Sequence, residues 1–230
     1  MCNTEVAALV LGYQEPDWTK RTVQCALDAG VAAVLVIPRL NGTGPMTPVF
    51  NRGMEVLGNF YPWVWHLTNV EFGKGALGKM LEVATDKTAA IHPVFNSDHT
   101  HLRGDKGNEN GQDIPFVEWT APLVRTAAWQ DAGPLWDKLG YWGMDLEWSY
   151  RARQAGYNLQ VCTTAALKHE YLRVKDKAEH PITRARRQIR AKSDKATEEA
   201  LISVYGGDWM CTLWPCHPHL VRRDKRTLYV

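Results

Sequence analysis

The chain has 230 residues, 45% hydrophobic and 23% charged, which leaves ample chain for a buried core and excludes intrinsic disorder. Lys and Arg number 27 against 25 Asp and Glu, and the formal net charge of +2 excludes a uniformly basic nucleic-acid coat. That length suits one α/β domain, or a domain with an appendage.

Val6–Leu11 is a short apolar run suited to a strand buried on both faces. Pro16 and Asp17 open a helix through Ala29, with Val23, Ala26 and Leu27 on one face, and Gly30 ends it. Val31–Ile37 is a second buried strand, followed by the loop RLNGTGP. Pro48–Leu57 predicts a helix and Pro62–Leu67 a third strand. Leu77, Met80, Leu81 and Ala84 give residues 73–85 helical spacing, and Ala89–Phe95 is a fourth strand. This order predicts a parallel, doubly wound α/β sheet with helices on both faces. Ligands on such sheets bind at the carboxyl ends of the strands, here the loops 12–18, 38–46, 68–73 and 96–101. Residues 103–113, RGDKGNENGQD, predict a mobile loop or lid. Beyond it, Pro115–Val124 is expected extended, Arg125–Ala132 and Gly143–Gly156 helical, and Asn158–Cys162 a late strand. A long polar helix is expected within 176–204 and an irregular last 25 residues.

Two short stretches carry chemistry. In GYWGMDLEWSYRARQAGY, residues 140–157, Asp145 and Glu147 fall in the first helical turn, where the dipole favours carboxylates. Glu147 is either an acceptor contact or an i,i+4 partner of Arg151. Asp145, flanked by glycines and by Tyr141 and Trp142, suits the rim of a cleft, where an ionised carboxylate takes a proton from a hydroxyl. In TNVEFG, residues 68–73, Asn69 and Glu71 offer oxygen ligands at x and x+2, a spacing that suits a hard divalent ion bridging phosphates. A helix cap by Asn69 is the competing reading.

With these residues in place, the chain resembles a family-2-type glycosyltransferase of the GT-A nucleotide-sugar fold, a small soluble member of phage type, over about residues 5–172. VAALVLGYQEP is similar to the first strand and its nucleotide-contacting loop, and FNRGMEV to the Asn-x-Gly stretch that follows. WHLTNVEF resembles the segment bearing the metal-binding Asp-x-Asp. GMDLEWSYRARQAGYNLQV and LKHEY resemble the acidic acceptor-side motif and the late histidine. The resemblance implies Asp145 as catalytic base, and Tyr13, Glu15, Arg39 and Asn51 as donor contacts. It implies Asn69, Glu71 and His169 as holders of Mn2+ or Mg2+, and Trp142 and Glu147 on the acceptor side. The implied reaction is an inverting transfer of a hexose or pentose from a nucleotide-diphospho-sugar to an acceptor hydroxyl. Two departures stand out: Asn69 replaces the first acid of Asp-x-Asp, and PRLNGTG lacks the usual acid after the second strand.

The charge divides unevenly around this resemblance. Residues 1–172 carry 14 basic and 18 acidic side chains, whereas residues 173–230 carry 13 and 7. The division sets a transferase-like domain, 1–172, apart from a basic helical C-terminal extension, 173–230. Arg187 and Arg190 lie in its most basic stretch, RVKDKAEHPITRARRQIRAK, which is either a solvated helix or an acceptor-binding face. A nucleic-acid acceptor, such as a hydroxymethylated base in DNA, is expected on that second reading. The alternatives are a surface-polysaccharide precursor, and a non-catalytic nucleotide-sugar or nucleic-acid binding module.

Other candidates are weaker in spacing. Asp98, His99 and His101 rival Asn69 and Glu71 as a metal site, and Cys211, Cys216, His217 and His219 are zinc-ligand types at unusual spacing. The odd count of five cysteines suits reduced thiols in a cytosol, and the ten tryptophans suit either a core or a ligand groove. No apolar run approaches the ~20 residues of a membrane span, and MCNTEVAALVLGYQEP lacks a basic n-region, so no signal peptide and a cytoplasmic location are expected.

Overall fold

The computed structural model describes residues 3–12, 16–38, 46–68, 70–95, 108–139, 142–169 and 194–214. Seven strands form one sheet: β1 (Asn3–Gly12), β2 (Val31–Pro38), β3 (Trp63–Leu67), β4 (Val70–Phe72), β5 (Thr88–Phe95), β6 (Leu123–Arg125) and β7 (Asn158–His169). The helices are α1 (Pro16–Asp28), α2 (Thr47–Leu57), α3 (Ala76–Glu82), α4 (Thr126–Ala132) and α5 (Met144–Gln154). Residues 194–205 are helical and are called α6; α7 is Trp209–Leu213. The strand order is β2-β1-β3-β6-β5-β7-β4. The pairings leave β1, β2, β3, β5 and β7 parallel, with β6 and β4 reversed.

Alternation along each strand builds a core on both faces of the sheet. Ala7, Leu9 and Leu11 of β1 face one side, where Phe50 and Met54 of α2, Trp129 of α4 and Trp148 of α5 pack. Val6, Ala8 and Val10 face the other, against Ala26 of α1 and Leu77 and Met80 of α3. Helix α2 comes unusually close to β1: a Cβ at Gly53 would stand 2.3 Å from Leu9 Cδ2, so any larger residue there forces the buried Leu9 side chain to shift. Leu201 of α6, in the stretch expected as a polar helix, and Trp209 and Leu213 of α7, in the stretch expected to be irregular, complete the first core. These are short apolar anchors on a polar background, and periodicity alone does not show them.

Most of the tryptophans serve the core. Trp63, Trp65, Trp119, Trp129, Trp148 and Trp209 are buried, and Trp119, Trp129 and Trp148 stack around His66 and Phe50 with ring centroids 5.2–6.3 Å apart. Trp119 Nε1 donates to His66 Nδ1 at 3.1 Å, and burial holds the imidazole neutral, with its pKa lowered to about 3.

Two departures concern the elements beside β7. Val70–Phe72, expected in a loop, is the edge strand β4, paired antiparallel with the end of β7. The polar stretch expected as a lid is in part fixed along the first half of β7: Gly111 N donates to Val161 O at 2.8 Å, Ile114 N to Leu159 O at 2.8 Å, and Val161 N to Gln112 O at 3.0 Å. Asn110 and Asp113 add side-chain acceptors for the β7 backbone N–H groups of Thr163 and Leu159. Its polar groups serve as ladder partners, which is why hydrophilicity misled. Among the described residues no helix is long and apolar enough to cross a membrane.

Candidate active site

Four of the parallel strands, β1, β2, β3 and β5, end at Gly12, Pro38, Leu67 and Phe95, and the expected site lies beyond those ends. Tyr13 and Glu15 follow β1, Arg39 follows β2, and Asp98, His99 and His101 follow β5; all six lie outside the described residues. So do Asn69, Arg187, Arg190, Cys216, His217 and His219.

Asp145 stands at the start of α5. Gly143 caps this helix with φ 78°, a left-handed conformation that a side chain would strain, and a Cβ there would meet Thr197 Cγ2 at 3.1 Å and Leu201 Cδ1 at 3.3 Å. The far end of α5 returns through Gly156 to Asn158, the register partner of Thr88 at the start of β5. The helix spans about 16 Å, which sets Asp145 well away from that end of the sheet. Leu146 N donates to Asp145 Oδ1 at 3.0 Å. Burial pushes the Asp145 carboxyl above the usual carboxylate range, outweighing the N–H groups of residues 146, 145 and 143 that favour its ionised form. A carboxylate so placed is a competent proton acceptor.

Glu147, one helical step on, is 3% exposed. Arg151 Nε and Nη2 donate to its two oxygens at 2.7 and 2.8 Å, the i,i+4 pairing the spacing anticipates. Tyr205 Oη of α6 donates to Glu147 Oε1 at 3.0 Å, and Arg151 also reaches the carbonyls of Ala132 and Pro134. This network ties α5 to α6 and to the α4–α5 loop. Trp142, before the helix, is half-buried with its ring centroid 6.0 Å from that of Trp209. Asn51 is also engaged in structure: its amide donates to Leu135 O at 2.8 Å and accepts from Leu135 N at 2.9 Å, clamping α2 to the same loop.

The third element is a corner made by chain closure. β3 and β4 are joined by Thr68 and Asn69 alone, yet three strands separate them in the sheet, so the sheet must curl. β7 bends to allow it: Pro93 pairs with Cys162 but Val94 with Ala166. The returning end of β7 then pairs His169 with Val70 and Lys168 with Glu71. This register brings the backbone positions of Glu71 and His169 to the short link that holds Asn69. Of the three expected ligands, Glu71 offers a hard oxygen donor that suits Mn2+ or Mg2+ and already attracts a cation, with Arg21 Nη1 3.3 Å from its Oε1; the side chains of Asn69 and His169 lie outside the described ones. Among the described residues no group of three or more His, Cys, Asp or Glu side chains is placed to hold a metal, at this corner or around Cys211.

Sequence reasoning missed Arg21, Lys168 and Tyr205, whose partners lie 50, 97 and 58 positions away, respectively, in a chain read locally. No protein-family model matches the chain, and no curated protein matches its sequence. Solved structures do match. GalNAc-T7 with UDP, GalNAc and Mn2+ superposes with a TM-score of 0.58 at 12% identity, over 82% of this chain and 48% of that one. The chain thus spans about half of that protein's length. The catalytic domain of Drosophila β1,4-galactosyltransferase 7 with xylobiose gives a TM-score of 0.52 at 14% identity, over 80% of this chain and 79% of that one. A mutant of that enzyme with manganese, UDP-Gal and xylobiose gives 0.51 at 14%, over 79% of each chain. The chain has a GT-A-like α/β fold, the fold of these glycosyltransferases.

Proposed function

We propose that this chain is a glycosyltransferase that moves a hexose or pentose from a nucleotide-diphospho-sugar to an acceptor hydroxyl with inversion. The observation that carries the reading is Asp145, held at the glycine-capped start of α5 beside a GT-A-like sheet. Asp145 takes the proton of the acceptor hydroxyl as its oxygen attacks the anomeric carbon. The bond from that carbon to the diphosphate breaks, and the nucleoside diphosphate leaves with the electron pair. Tyr13, Glu15 and Arg39, on the loops after β1 and β2, are the proposed contacts to the nucleotide. Asn69, Glu71 and His169 would hold Mn2+ or Mg2+, which when bound supplies positive charge to the leaving diphosphate. The half-buried Trp142 is the proposed acceptor platform.

For the acceptor, the basic stretch with Arg187 and Arg190 supports DNA bearing a hydroxymethylated base. The xylobiose bound to the Drosophila enzyme supports a saccharide instead. Salt-sensitive retention on DNA, measured beside transfer to oligosaccharides, separates the two. The reading as a whole is tested by screening nucleotide sugars for thermal stabilisation with and without Mn2+. One donor should raise the melting temperature and be turned over; if none stabilises the protein, the reading fails, and stabilisation without turnover leaves a binding module.

A further inference from the structure

A shallow groove of about 490 Å3 opens between α1, β4 and the end of β7, lined in part by Arg21, Gln24, Glu71, Gly73 and Lys168. It adjoins the corner just described, because Glu71 and Lys168 are register partners one step from Val70 and His169. Among the described residues, Arg21 and Lys168 are its cations and Glu71 its carboxylate. Arg21 is held from two sides. Its guanidinium carbon lies 4.8 Å over the Trp18 ring, and its Nη1 is 3.3 Å from Glu71 Oε1. Its side chain is nevertheless 58% exposed, leaving N–H groups open to the groove. A planar guanidinium fixed by an aromatic face meets two phosphate oxygens at once with little loss of side-chain freedom.

We propose that Arg21, assisted by Lys168, binds the diphosphate of the donor. Arg21 pairs with Glu71 in this structure; by bonding phosphate oxygens instead it would release the Glu71 carboxylate, one of the residues that would hold the metal. This inference rests on the donor reading above, and it adds two residues that the sequence did not single out.

The test is isothermal titration of the full chain with inorganic diphosphate in EDTA at low salt, which needs neither the sugar nor the base of the donor. The parent binds saturably. Arg21→Ala weakens binding about tenfold, Arg21→Lys and Lys168→Ala by about threefold each. Arg52→Ala, which removes an exposed cation paired with Glu55 on α2, leaves the affinity unchanged and controls for net charge. Equal affinity in the parent and Arg21→Ala, or no binding by the parent, overturns the proposal. The two readings fail separately. A nucleotide sugar that stabilises the protein while diphosphate binding ignores Arg21 removes only the Arg21 assignment. Arg21-dependent diphosphate binding with no stabilising nucleotide sugar removes the donor reading, and with it the donor role of Arg21.

Discussion

Replacing Glu147 by Gln decides whether this residue is an internal strut or an acceptor contact. The Glu147 side chain is 4% exposed and that of Arg151 26%, with two short N–H···O bonds between them. Removing one partner of a fully buried pair costs about 3–5 kcal/mol. Here Arg151 keeps the carbonyls of Ala132 and Pro134 and some contact with water, which lowers the expected cost to about 2–3 kcal/mol. For a chain of this length that is a fall in melting temperature of about 5–10 °C. Tyr205→Phe keeps the ring against Tyr150, centroids 5.7 Å apart, and loses only the hydroxyl bond to a charged acceptor. Its expected cost is about 1–2 kcal/mol. Burial and the Glu147 charge both raise the Tyr205 pKa, so the hydroxyl stays a donor and the effect is flat across neutral pH. Thermal denaturation by circular dichroism on both single variants and the double variant measures the coupling, expected near 1 kcal/mol. If Glu147→Gln melts with the parent, or the two changes add without coupling, the strut argument is refuted.

Asp145→Asn should lower transfer by about 10²–10⁴-fold while sparing donor binding, measured as donor turnover against donor-induced thermal shift. Because burial raises the Asp145 pKa, the folded state holds that proton more tightly than the unfolded chain. The resulting stability is present below the unfolded value of about 3.9 and is lost as pH rises through the folded one. Asp145→Asn should therefore melt no lower than the parent at neutral pH, and parental transfer should rise with pH through that raised value; a neutral-pH melting temperature clearly below the parent's contradicts the burial argument. Gly53→Ala places a methyl group 2.3–3.0 Å from three atoms of buried Leu9, at an expected cost of about 1–3 kcal/mol in denaturant titration. Asn51→Ala cuts both bonds to Leu135 and should destabilise by about 1–3 kcal/mol with donor affinity unchanged; weaker donor binding at full stability would make Asn51 a donor contact instead.

VAALVL is legible in the sequence because β1 is buried on both faces and so appears as an unbroken apolar run; VAAVLVI reads the same way and predicts burial too, but β2 is an edge strand in which only Val31 is buried. Helix α5 is legible too, from its glycine cap and its acidic first and basic last turns. β4 is not: Val70, Glu71 and Phe72 form no run, and they become a strand only because residues 167–169 arrive beside them. The start of α3 moves from Gly73 to Ala76 because Gly75 takes φ 85°, which breaks the helix that Leu77 and Met80 predict. Glu147 could be paired with Arg151 by counting, whereas its second partner, Tyr205, belongs to an element whose charge drew attention to its surface. Local pattern shows what an element is. It does not show which distant element completes it.

The curl that joins β4 to β7 also sets an order of assembly. Val70 and His169 are 99 positions apart, and closing a loop of that size costs about 4 kcal/mol of chain entropy before any contact forms. Three backbone pairs cannot offset that cost by themselves, so β4 docks only after β5, β6 and α5 have brought β7 into place. During synthesis the β4–β7 corner is then among the last parts to form, and a chain released before residue 169 lacks the pairing that builds the proposed diphosphate groove.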